Sequence, residues 1–508
     1  MMLEAPSAYQ WDLAVGRRAL LEGLAATALG LVGGAGVAAR SARQSRRMLV
    51  EKGLLERTRL EGELPRGLAL SDRMSFYGVK GLQIAVVEDG RVDWSGSYGL
   101  ASPGGPAVDR GTLFQAGSIS KPVTALAALR LAQHRRVSLD QDLREILKSW
   151  RLPPSEFDET KAVTLREALS HTAGLNMPKF LGYRPGTPLP TAIQTLSGDA
   201  PANSGRLLLE AIPGSRWRYS GGGYLLIQQA LEDTTQTPFR KLMREAVLGP
   251  AGMSSSTFDL FTPAERSGAA SGHDMSGNVL PEGWFMLPEA AAAGLWSTAS
   301  DLAALIIEIK RSIGGQSGAL LSRALATEMV TPVLNDWGLG LELAGEGDDL
   351  RFMHSGGTQG YRSLMLGFVN APRGLAILTN GEIGDQLIAE IVRGVAKAYG
   401  WGVYPQRVRA VAKRDPARAL LAGTYRAVSD DGTASLITVG VSPADELTAS
   451  VPVWGGWQRP RVLHRASADL YFIREDSGEL GFFRRADGVG REIALSNFAG
   501  VSRAVRLD

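Results

Sequence analysis

The chain has 508 residues, 55 lysines and arginines against 52 aspartates and glutamates for a formal net charge of +3, 44% hydrophobic residues and no cysteine. That length supports two to four domains with large cores, and the near balance of charge, without a long basic block, argues against nucleic-acid binding. The missing cysteines exclude disulfides, a cysteine nucleophile, iron–sulfur ligation and thiolate zinc sites, and leave export open.

Residues 1–40 read as an address rather than as fold. Arg17-Arg18 precedes a Gly/Ala-rich apolar run from Gly23 to Ala39 that carries no charge and ends in small residues before Arg40. The pattern matches a twin-arginine export signal, with a membrane anchor as the competing reading. Residues 41–69 form a charged lead-in segment. Strand-like Gly81 to Glu88 and Arg91 to Ser95 flank Asp89-Gly90, which predicts a hairpin. Helical spacing follows over Pro122 to Gln133, Thr164 to Ser170 and Leu225 to Leu231. A second antiparallel pair, Ser363 to Val369 and Gly374 to Thr379, precedes a helix marked by Leu387, Ile388, Ile391, Val392 and Val395.

Strands at both ends of this stretch and helices between them predict an α+β fold, one antiparallel sheet flanked by helices with a helical subdomain inserted. Residues 401–418, with the basic run Arg407 to Pro416, read as a linker. From 419 to 508 short strands at Ser435 to Val439, Leu447 to Val453, Asp469 to Ile473 and Leu480 to Arg484, separated by turn residues, predict a small all-β domain.

Three places carry chemistry. In Ser118-Ile-Ser-Lys121, ahead of an apolar helical run opened by Pro122, serine and lysine three residues apart share a helix face. A serine hydroxyl becomes a nucleophile when a neighbouring base takes its proton, and a desolvated lysine can be that base. By itself the spacing also fits a capped surface helix. Tyr219 heads the turn Ser220-Gly221-Gly222-Gly223 before an apolar helix, and lysine and tyrosine together could share a proton between nucleophile and leaving group. His354-Ser355-Gly356-Gly357 ends a strand with small residues able to approach an acyl group closely and offer backbone N–H donors. His134, His273 and His464 show no metal spacing, and neither a metal nor an organic cofactor is expected. Dinucleotide and phosphate loops are absent, as is the Gly-x-Ser-x-Gly elbow.

Taken in order, these motifs resemble the serine beta-lactamase and penicillin-binding-protein superfamily, in its class C-like branch of esterases, D-amino-acid peptidases and transacylases. Thr164-Leu-Arg-Glu-Ala-Leu-Ser-His171-Thr-Ala-Gly-Leu175, Leu248 to Met253 and Ala293 to Leu302 add to the likeness, which covers about residues 70–400. The resemblance implies that Ser118 is acylated, that Lys121 activates it, that Tyr219 shuttles the proton and serves deacylation, and that the backbone N–H groups of Ser118 and Gly357 form an oxyanion hole. It implies substrate contacts at His354, Ser355 and Gly356, and a structural role for His171. Gly221 stands where many relatives have asparagine, and His354 where beta-lactamases often have lysine. Both departures point away from antibiotic hydrolysis and towards an ester or a D-amino-acid amide or peptide. Arg362 reads as a solvated arginine or a carboxylate contact. The segment 419–508 resembles the lipocalin-like domain appended to some of these hydrolases, with Trp454 or Trp457 as an aromatic at the substrate entrance or as turn packing. A transacylase, a beta-lactamase and a catalytically silent module binding a cell-wall fragment are the competing functions; oligomeric state is open.

Overall fold

The computed structural model describes residues 43–507 apart from 159, 263–264, 266–267, 429–431, 433, 453–456, 476–477 and 497–500. The export or anchor segment therefore lies outside the described residues, as does Trp454. Among the described residues no helix is long and apolar enough to cross a membrane.

In chain order, the elements that position the site begin with Thr58–Leu60 (β1), Leu70–Tyr77 (α1), Gly81–Glu88 (β2), Arg91–Gly99 (β3), Phe114–Gly117 (β4) and Ser120–Gln133 (α2). Leu165–Leu169 (α3), Gly221–Thr235 (α4) and Ala290–Ala293 (α5) follow, then Leu295–Ser297 (β5), Ala299–Ile313 (α6), Glu342–Ala344 (β6), Arg351–Thr358 (β7), Tyr361–Phe368 (β8), Gly374–Thr379 (β9), Gly384–Tyr399 (α7) and Arg407–Arg409 (β10). A six-stranded sheet runs β3-β2-β9-β8-β7-β6, antiparallel throughout. The Asp89-Gly90 turn forms as expected, with positive φ at both residues (51° and 71°), the backbone that twists a two-residue hairpin correctly.

Strand β2 reads as an almost continuous apolar run because both its faces are covered. Leu82, Ile84 and Val86 pack with Leu387, Ile391 and Val395 of α7 and with Leu70 and Met74 of α1. Ala85 and Val87, on the other face, join Leu302 and Ile306 of α6 in the larger core. The helices between β4 and β6 form the inserted region. Its central helix α4 is buried almost all round, and Ser220 caps it by accepting from the Gly223 N–H at 2.9 Å. The α+β expectation holds.

Nine antiparallel strands between Gly423 and Arg506 form a single nearly closed sheet around its own core, with Tyr425, Ile437, Leu480 and Ile493 inside. The basic stretch after Tyr399 contains β10, which pairs in parallel with β1 of the lead-in segment. The β sheet joins the same structure: the Thr58 N–H donates to the Arg474 carbonyl at 2.8 Å, and the Arg461 guanidinium lies 3.9 Å from the Phe76 ring centre. These contacts bring residues near 57 and 404 to one end of the cleft described next.

Candidate active site

Strand β4 ends at Gly117 with φ 53°, and a Cβ there would stand 2.8 Å from the Gly357 nitrogen. Glycine at 117 thus meets two demands, a left-handed backbone and the close approach of β7. The turn delivers Ser118 beside Gly357. Ser120 fixes it, donating from Oγ to the Gly117 carbonyl at 2.6 Å and accepting from the Leu295 N–H at 2.9 Å. Ser118 sits just before α2 rather than within it, and Lys121 Nζ reaches its Oγ at 3.1 Å.

Lys121 is 2% exposed. Its Nζ also donates to the Ala292 carbonyl at 2.8 Å and lies 4.8 Å from the centre of the Tyr219 ring. The amine is thereby held among Ser118, Tyr219 and a backbone carbonyl, and no carboxylate among the described residues is paired with it. Ser118, Lys121 and Tyr219 are thus brought together around one amine.

Tyr219 is placed through His171. The Arg218 N–H donates to the His171 carbonyl at 2.8 Å and the Ser220 N–H to its Nδ1 at 3.1 Å, while the imidazole rests on the Tyr219 ring at 4.3 Å. His171 has φ 60°, and burial followed by the nearby Lys121 holds its pKa well below the usual value. Its ring is held neutral, with Nδ1 as acceptor of the Ser220 N–H.

His354 is buried in β7, 6.4 Å from the Tyr219 ring and 5.5 Å from Trp337, centre to centre. Burial first, and then Lys121, push its pKa down to about 3 against the opposing Ser355 carbonyl. Its Nδ1–H donates to that carbonyl at 2.6 Å, which leaves Nε2 an acceptor without a partner among the described residues. His354 thus gives the site a neutral acceptor where a lysine would give a cation. Ser355 and Gly357 are exposed on the cleft, whereas Gly356 is buried and a Cβ there would meet the Ala116 carbonyl at 2.0 Å.

A cleft of about 740 Å³ contains Ser118, Lys121, Tyr219, His354 and the 355–358 strand. Gly221 borders it, and a Cβ at that position would come within 2.9 Å of the Phe180 ring. Phe180 fills the space an asparagine would need. Arg362, expected as a solvated arginine or a carboxylate contact, is half-buried, paired with Glu382 and bonded to the Thr358 carbonyl at 2.9 Å, so it braces the β7–β8 turn. Sequence reasoning missed Trp337, Arg57, Glu342 and Arg393 on the cleft wall. No spacing joins them to Ser118, because they reach it only through tertiary packing.

The chain is similar to several known proteins. A model of the family described as Beta-lactamase matches residues 69–399. Human putative beta-lactamase-like 1 is 28% identical over 281 residues, 52% of this chain and 52% of that protein. Penicillin-binding protein 4 of Amycolatopsis lactamdurans is 25% identical over 368 residues, 69% of this chain and 93% of that protein. The chain spans about half the length of the first curated relatives it matches. The octameric penicillin-binding protein homologue from Pyrococcus abyssi superposes with a TM-score of 0.57 at 21% identity, covering 86% of this chain and 98% of that one, a likeness of fold. With the family model covering most of the chain and the fold in agreement, the chain belongs to the Beta-lactamase family.

Proposed function

We propose that the protein is a serine hydrolase that forms an acyl-enzyme at Ser118 on an ester or a D-amino-acid amide or peptide. The observation that carries this reading is the 3.1 Å contact between Lys121 Nζ and Ser118 Oγ in a buried setting with Tyr219 alongside. Lys121 takes the Ser118 proton as Oγ attacks the carbonyl carbon. The N–H groups of Ser118 and Gly357, brought side by side by Gly117, stabilise the oxyanion. Collapse of the tetrahedral adduct expels the leaving group, which takes a proton relayed from Lys121 through the Tyr219 hydroxyl. In deacylation the Tyr219 hydroxyl takes a proton from the attacking water as it passes its own to Lys121, and Lys121 returns that proton to Ser118 Oγ when the second tetrahedral adduct collapses. The neutral His354 and the Phe180-filled space at Gly221 favour ester or peptide substrates over beta-lactams. Export is part of the proposal and rests on Arg17-Arg18 and the uncharged run that follows.

The test is intact-protein mass spectrometry after brief incubation with p-nitrophenyl esters, D-amino-acid amides and penicillin. A covalent adduct or turnover in the wild type, absent from Ser118→Ala, is expected. Undiminished turnover by Ser118→Ala would overturn the mechanism. Lys121→Ala should slow acylation by on the order of 10² to 10⁴, and a wild-type acylation rate would remove Lys121 as the base.

A further inference from the structure

The cleft continues well past the reacting serine. On α7 the residues facing it are Asp385, Ile388, Ala389, Val392 and Arg393, a single helical stripe. Asp385 stands at the end near Arg362, whose strand position pairs with Gly357. Arg393 is eight residues further on, about 12 Å along the axis at 1.5 Å per residue. Between them Ile388, Val392, Met353 and Leu364 make an apolar wall.

At the far end the cleft is lined by Arg393 and Arg57. Arg393 is 7% exposed; its Nε donates to the Leu55 carbonyl at 2.7 Å, while its Nη2 is buried with no partner among the described residues. Arg57, just before β1, borders the same cleft and is close enough to add to the burial that lowers the Arg393 pKa to about 10, still cationic at neutral pH. The neighbouring acids are already engaged. Glu390 is held by Arg73 at 2.6 Å and by the Tyr77 hydroxyl at 2.7 Å, and Glu56 pairs with Arg474 at 3.0 Å. Glu342 also borders the cleft, and burial followed by Asp336 raises its pKa, which weakens it as a counter-charge. A buried guanidinium nitrogen left unsatisfied is costly, and a carboxylate is the partner its planar fork fits.

We infer that Arg393 and Arg57 form an anion subsite at the distal end of the cleft, and that the substrate is an acyl compound with an apolar spacer ending in a carboxylate. This rests on the Ser118 acyl-enzyme reading and adds the substrate class to it. The lead-in segment thereby has a function: the β1–β10 pairing brings Arg57 to the cleft.

The experiment compares p-nitrophenyl esters of ω-carboxy acids of increasing chain length with their ω-methyl-ester counterparts. The wild type should prefer the carboxylate by about tenfold or more in kcat/KM at one chain length, the size expected of a charge-assisted hydrogen bond. Arg393→Gln and, independently, Arg57→Gln should abolish that preference, read as the ratio of kcat/KM for the two esters, and Arg393→Lys should retain part of it. Equal rates on both esters in the wild type, or a preference that survives both glutamine variants, would overturn the subsite. If the wild type cleaves neither ester, the hydrolase reading fails separately, and calorimetric binding of the two esters to Ser118→Ala decides the subsite. Tighter binding of the ω-carboxy ester, lost in Arg393→Gln, supports it; equal binding rejects it.

Discussion

The imidazole of His171 lies against the phenol of Tyr219 at 4.3 Å between ring centres, while its backbone carbonyl and Nδ1 accept from the residues on either side of that tyrosine. Three contacts from one residue thus set the position of a proposed proton carrier. His171 also lies 5.0 Å from Trp337, which lines the cleft. The left-handed backbone at His171 is what lets both its carbonyl and its ring turn towards residues 218–220.

Replacing His171 with alanine should therefore act through Tyr219. A displacement of about 1 Å at a reacting group can cost on the order of 10² in rate. His171→Ala is expected to lower kcat by that order with KM little changed, and to lower the melting temperature because a buried ring is removed. His171→Asn, which keeps an acceptor for the Ser220 N–H, should recover part of kcat. A kcat for His171→Ala within twofold of wild type, measured on the best ester, would show that Tyr219 keeps its place without the histidine.

Much of this arrangement is written locally in the sequence. Asp89-Gly90 between two apolar runs can hardly form anything but a hairpin, and Ser118 and Lys121 need only one helical turn to meet. The α7 periodicity likewise follows from Leu387, Ile391 and Val395 facing the sheet. Other features depend on contacts between distant segments. Arg393 and Leu55 are 338 positions apart and meet where the lead-in segment packs on α7; β10 pairs with β1 of the same segment, so the basic stretch near Arg407 reads as a linker until that pairing is seen. The Gly221 departure is visible in sequence, but its cause is Phe180, placed there by a loop whose path no local pattern encodes. Trp457 lies on a barrel strand, and the entrance role considered for Trp454 and Trp457 falls on side chains outside the described set.

His354 makes a prediction about acid. Its pKa falls to about 3 in the folded protein, from an ordinary value of 6.5. Between those values the unfolded chain binds the extra proton and the native state does not, so stability rises with pH across this window and is lost as pH falls through it. His171, lowered in the same direction, adds to the effect. The melting temperature should drop steadily from pH 6.5 towards 4, and His354→Gln should flatten that slope. The acid limb of kcat/KM should show no inflection from His354 between pH 5 and 8, because the ring stays neutral there. Loss of such a limb in His354→Gln would mean that the imidazole titrates within the working range.

Glu289 works in the opposite direction. It precedes α5, the short helix whose Ala292 carbonyl accepts from Lys121; its side chain is buried, and neither carboxyl oxygen has a hydrogen-bond partner among the other described residues. Burial raises its pKa to about 7 from 4.5, so the native state keeps a proton that the unfolded chain releases. That contribution to stability is fully present below pH 4.5 and is lost as pH rises through 7. Glu289→Gln keeps the shape without the ionisation. It should gain on the wild type as pH rises, by about 3 kcal/mol between pH 4 and 8 from a group with this displacement. Denaturant unfolding of both proteins at pH 4 and pH 8 measures the difference. A stability gap that is the same at both pH values would mean that Glu289 ionises as it does in water, and that a partner or solvent reaches its carboxylate.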